Sequence, residues 1–66
     1  MNRLKIGDLV RASGDINELY SGKRQCGLII EISKELRIFP YKVMWTDFIA
    51  YQYSEDEIFL VSRNND

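Results

Sequence analysis

Tyr41-Lys42-Val43-Met44-Trp45-Thr46-Asp47-Phe48-Ile49-Ala50-Tyr51-Gln52-Tyr53 is the stretch that decides the fold. Over residues 41–46 the side chains alternate, with Tyr41, Val43 and Trp45 on one face and Lys42, Met44 and Thr46 on the other. Asp47 is a turn residue, because its carboxylate can accept a hydrogen bond from the amide two positions on. Residues 49–53 alternate again. The pattern predicts an antiparallel hairpin that carries Val43 and Trp45 into a core.

Working outward, the same rhythm of short apolar runs and turn chemistry continues in both directions, which signals an all-β domain. Residues 9–12 follow a Gly7-Asp8 turn. A long polar loop, residues 13–24, is bracketed by Gly14 and Gly22, and Asp15 with Glu18 is placed to cap one helical turn inside it. Residues 27–32 are rich in β-branched side chains and too short for a stable helix. Residues 33–39 read as a connection, and Pro40 suits a strand start or an edge. Downstream, Ser54-Glu55-Asp56-Glu57 forms a capping box with three acids at the positive end of a short helical turn. A last strand over residues 58–61 follows, and residues 62–66 are expected to fray. The core is expected to gather Val10, Ile30, Val43, Trp45 and Leu60.

Five strands, a long first loop and one helical turn before the last strand make the pattern of a five-stranded SH3-like barrel. Gly7-Asp8-Leu9-Val10, Ser13-Gly14, Gly22-Lys23 and Gly27-Leu28-Ile29-Ile30-Glu31-Ile32 resemble the opening of KOW-type and related SH3-like modules. Residues 41–47 and 53–61 are also similar to short uncharacterised proteins of tailed phages. The likeness spans residues 5–61. It implies one SH3-like domain over residues 1–66 with its ordered core at about 5–61, and a phage accessory or structural protein. Such barrels host RNA, DNA, peptide and purely structural roles, so the resemblance alone selects none of them.

Composition removes several function classes. The 66 residues hold no histidine and one cysteine, Cys26. An internal disulfide and a Cys/His zinc site are therefore excluded, as is a Cys–His nucleophile pair. Without the side chain that most often serves as general base near neutral pH, the chain is expected to be no enzyme, with no cofactor and no metal. None of the four glycines forms a phosphate-cradling motif; they suit turns and bulges. The apolar run from Cys26 to Ile30 is far too short to cross a bilayer, and the N-terminus does not read as a signal peptide. A soluble protein of a reducing compartment is expected, in the cytoplasm of a bacterium or a phage-infected host, or in a virion.

The net charge of −1 is unevenly spread, at +2 over residues 1–34 and −3 over residues 35–66. Arg3, Lys5, Arg11, Lys23 and Arg24 could converge at one end of the barrel beside Tyr20, forming a basic patch with a stacking surface suited to single-stranded nucleic acid. A solvated face on a weakly acidic protein explains the same residues, since phosphate binding draws on more cations than these. The acids Glu55, Asp56 and Glu57 are accounted for by cap chemistry. Cys26 reads as a small buried hydrophobe.

Trp45 with Tyr41, Tyr51 and Tyr53 is the most informative cluster. Aromatics on neighbouring strands can line a groove for an extended peptide or cage a cation; they can equally fill the barrel. For Trp45 the core is the stronger reading. Tyr51 and Tyr53 suit both, and Tyr20, in a polar loop, is the leading contact residue. The expected function is a small interaction module that meets a protein or peptide through Tyr20, Tyr41, Tyr51 and Tyr53, or self-associates through an unpaired strand edge. The alternative is sequence-tolerant nucleic-acid binding at the basic end.

Overall fold

A computed structural model describes residues 4–22 and 24–64. The elements run β1 (Leu9–Ala12), α1 (Gly14–Leu19), β2 (Gly27–Ile32), β3 (Tyr41–Trp45), β4 (Ala50–Tyr53), a 3₁₀ turn (Glu55–Glu57) and β5 (Ile58–Ser62). The strands form one antiparallel sheet in the order β4-β3-β2-β1-β5. The expected small all-β domain is present. The sheet is open, with β4 and β5 as its edges, which corrects the closed barrel.

The chain nevertheless forces the sheet to curl. A flat five-stranded sheet holds its outer strands about 19 Å apart. Only five peptide steps join Tyr53 at the end of β4 to Ile58 at the start of β5, and three of those residues are coiled in the 3₁₀ turn. That connection spans about 13 Å. The two edges are thus drawn together at one end, and a core forms inside the bend.

That core is Leu4, Val10, Ala12, Ile29, Val43, Trp45, Tyr53 and Ile58, with Ile16 and Tyr41 packed against it. Val10, Val43 and Trp45 face inward as expected. Ile30 and Leu60 do not belong to the core, at 39% and 36% exposed. In β2 the reason is a bulge. Ile29 pairs with Val43 and Glu31 with Lys42, which leaves Ile30 as the extra residue and puts Ile29 inside. Leu60 lies opposite Val10, so it shares the inner face, but on the edge strand β5 nothing covers it fully.

The hairpin turn forms as its sequence requires. The Ile49 amide donates to Asp47 Oδ1 at 3.1 Å. After β4, the Ser54 amide donates to Glu57 Oε1 at 2.8 Å, the carboxylate half of the expected capping box. The first loop folds as a six-residue helix that starts after Ser13, so Asp15 sits inside the first turn rather than capping it. Ser21 and Gly22, both at positive φ, then turn the chain back toward β2. The Ser13 amide donates to the Glu57 carbonyl at 2.9 Å, which fastens the start of this loop to the 3₁₀ turn. Among the described residues no helix is long and apolar enough to cross a membrane.

Candidate functional site

Arg24 organises the region where the aromatics meet. Its backbone is fixed first. The Arg24 amide donates to Asn17 Oδ1 at 2.9 Å, and its carbonyl accepts from the Ala12 amide at 2.8 Å. The side chain then enters the space between the first loop and the β3–β4 hairpin, where only 2% of the residue remains exposed. Its guanidinium lies 4.3 Å from the Tyr20 ring centroid and 5.5 Å from those of Trp45 and Tyr51. Nη1 donates to both oxygens of Asp47, at 3.1 and 2.9 Å. Nε is buried with no hydrogen-bond partner among the described residues.

Of the four aromatics expected to line a groove or cage, Trp45 and Tyr51 stand with Tyr20 around a cation, and that cation is the chain's own arginine. A flat guanidinium suits that place better than an ammonium, because it stacks on rings while its edge pairs with a carboxylate. Two further contacts hold the box. Trp45 Nε1 donates to Tyr53 Oη at 2.9 Å, and the two rings meet edge to face at 5.5 Å. Tyr20 and Tyr51 lie 6.2 Å apart. Burial raises the pKa of Tyr53 above its ordinary 10.0, against the hydrogen bond from Trp45, which lowers it. At Asp47 partial burial pulls the pKa upward, but hydrogen bonds from the Ile49 amide and the Arg24 guanidinium prevail and leave it below 3.8.

Against this geometry the sequence expectations divide. Tyr20 and Tyr51, both named as contact residues, come together. Tyr53 is mostly buried, with its hydroxyl accepting from the Trp45 indole, and its remaining surface lines the groove beside Tyr51. Tyr41 is half-buried opposite Tyr53 and packs on the core. Arg24 is corrected from a phosphate contact to an internal cation, since Asp47 and three rings occupy its guanidinium. Arg11 stays exposed, but on the other face of β1, where it lies 5.1 Å from the Phe59 ring centroid. Lys5 is exposed, and Arg3 and Lys23 lie outside the described residues. The described cations thus do not converge. Cys26 is exposed rather than buried.

Over this box lies a groove of about 240 Å³ that runs between α1, β4 and the 3₁₀ turn, lined by Ile16, Leu19, Tyr20, Phe39, Tyr51 and Glu57 among others. Leu19, at 77% exposed, and Phe39, at 47%, were not foreseen as part of it. No sequence signal marks them, since the groove unites segments up to 41 positions apart. The elements flanking it are acidic. Asp15 and Glu18 lie on α1 and Glu55, Asp56 and Glu57 on the 3₁₀ turn, and neither element carries a cation. Among the described residues no three His, Cys, Asp or Glu side chains are arranged so that they could hold a metal ion. No family model, no curated protein and no solved structure matches the chain.

Proposed function

We propose that the chain is a non-enzymatic SH3-like interaction module whose groove between α1 and β4 takes an extended, basic segment of a partner protein. Two features support the SH3-like reading. Strands β1 to β4 form a meander, and after a 3₁₀ turn β5 returns to pair with β1. The observation that carries the functional reading is the groove itself, apolar and aromatic along its floor and acidic on both flanks. Apolar and aromatic side chains supply contact area for a partner, and the five acids favour Lys or Arg beside the partner's apolar anchors. Arg24, locked beneath Tyr20 and Tyr51, makes that floor stiff, so a partner does not have to order it on binding.

Selection of peptides from a random display library on the full chain tests this reading, followed by amide chemical-shift mapping of one enriched peptide. Enriched sequences should combine a cation with an apolar residue, and shifts should centre on Leu19, Tyr20, Phe39 and Tyr51. Leu19→Ser should weaken the selected peptide about tenfold, as loss of one apolar anchor does, with an unchanged urea midpoint. A parallel titration with labelled single-stranded RNA at two salt concentrations should show no salt-steep binding. Steep, salt-sensitive RNA binding with no enriched peptide would overturn the proposal in favour of phosphate recognition.

A further inference from the structure

The outer face of the sheet carries a second surface with a different character. Leu9 pairs with Leu28, Leu28 with Met44, and Met44 with Ala50, so one uncharged row crosses four strands side by side. Leu28 and the bulged Ile30 are both exposed. Between this row and the β3–β4 turn lies an apolar hollow of about 320 Å³, lined by Leu9, Cys26, Leu28, Ile30 and Met44 together with Phe48. Phe48 lines it yet is 84% exposed, so most of its ring stands out from the wall. Its backbone sits at φ 63, a left-handed conformation that is costly for a bulky side chain.

A strained, protruding phenyl beside an empty apolar hollow is a knob next to a hole. The geometry points to a second copy of this chain as the occupant. In a twofold dimer the Phe48 ring of each copy enters the hollow of the other, the self-complementary arrangement that such symmetry requires. An apolar cavity of about 150 Å³ already accepts a benzene ring, so this hollow is large enough. Each phenyl removes on the order of 150–250 Å² from water. With the exposed parts of the apolar rows of both copies fully covered, the total reaches about 1,000 Å², the size of a weak, concentration-dependent association.

Charge selects the same face for self-docking. The α1 and 3₁₀ surface carries five acids and no cation and would repel its own copy, whereas the sheet face carries an uncharged row flanked by charges of both signs, Arg11, Glu31 and Lys42. A 66-residue chain with one cysteine and no histidine has neither disulfide nor zinc to reinforce its core, and oligomerisation is one of the remaining means. This interface uses the sheet face and leaves the peptide groove on the other side open.

Sedimentation equilibrium of the full chain from about 5 to 500 µM tests the inference. The expected result is a reversible shift from 7.8 kDa toward twice that mass. Phe48→Gly should raise the dimer dissociation constant at least about 30-fold, the effect of losing a hot-spot side chain. Because glycine adopts positive φ freely, its monomer should be no less stable in urea. Maleimide labelling of the exposed Cys26 in the wild-type chain should slow as concentration rises, and in Phe48→Gly it should not. A wild-type chain that stays monomeric at 500 µM, or a dimer that Phe48→Gly leaves intact, overturns the inference.

Discussion

The guanidinium of Arg24 and the carboxylate of Asp47 meet at 2.9 Å across a sequence separation of 23 residues, and this pair joins the end of the first loop to the β3–β4 turn. It is asymmetric. Arg24 is sealed beneath Tyr20, Trp45 and Tyr51, while Asp47 keeps one side in water. Loss of the arginine therefore removes ring stacking, packing volume and the ion pair together. Loss of the aspartate removes only the charge partner and the turn bond to Ile49.

Arg24→Ala should accordingly cost about 3 kcal/mol, from the packing and cavity contributions of a large buried side chain. That is comparable to the whole stability of about 3–10 kcal/mol expected for a chain this size. Arg24→Lys should recover only part of the loss, since an ammonium can pair with the carboxylate but cannot stack flat among the rings. Asp47→Asn keeps an acceptor for the Ile49 amide and isolates the charge. It should lower the urea midpoint in the wild-type chain and leave it nearly unchanged in an Arg24→Met background. Additive effects in that double-mutant cycle would show that the pair contributes nothing to stability.

Tyr53→Phe removes the acceptor of the Trp45 indole N–H, whose ring is buried. A buried donor left unpaired costs about 1–3 kcal/mol. The variant should therefore unfold at lower urea while keeping the fold, with altered tryptophan emission. If Tyr53→Phe matched the wild type in urea, the hydroxyl would be serving solvent rather than the indole.

How far these relationships could be read in advance differs between elements. The β3–β4 hairpin was legible, because alternation over residues 41–46 and 49–53 fixes one face for Val43 and Trp45. The turn chemistry of Asp47 and the Glu57 half of the capping box were legible too, since both act within three residues. The parity of β2 was not. Leu28-Ile29-Ile30 offers apolar side chains to both faces, so nothing in the run says which isoleucine goes inside, and the bulge decides it. Arg24 shows the other limit. A basic residue in a polar loop reads as exposed, and only tertiary structure brings Asp47, Tyr20 and Tyr51 around it.

The response to acid follows from two carboxylates. Asp8 is fully buried, and its pKa is held below the ordinary 3.8, first by the Asn64 amide, against the upward pull of burial, with help from the Lys5 amide and the nearby Arg63 and Lys5 charges. These amides donate at 2.8 and 2.9 Å. Asp47 is lowered as well. In both cases the unfolded chain takes up its proton near 3.8, whereas the native carboxylate keeps its charge to lower pH. The stabilisation is thus present above 3.8 and is withdrawn as pH falls through the interval below it. Urea midpoints measured from pH 6 to pH 2.5 should fall on the acid side, and the fall should be smaller in Asp8→Asn, which starts from a lower midpoint at pH 6. An identical acid limb in both chains would remove Asp8 from this account.

Gly27 is the position where the core tolerates least. It faces inward opposite Trp45 in the β2–β3 pairing, and a methyl group there would lie 2.6 Å from Trp45 Cε3 and 2.7 Å from Val43 Cγ1. Both neighbours are buried and neither is the free end of a flexible chain. The indole cannot retreat without giving up its bond to Tyr53 and its place against Arg24. Gly27→Ala should therefore destabilise the fold by about 1–3 kcal/mol, as overpacking does, although alanine is otherwise the better residue within a strand. Gly14→Ala provides the control, since nothing lies within 4 Å of a methyl group there and its φ is ordinary. Removing a helical glycine should raise stability by about 0.5–1 kcal/mol. Urea melts of the two variants should move in opposite directions. If Gly27→Ala were neutral, the β2–β3 register that puts Trp45 against this glycine would be wrong.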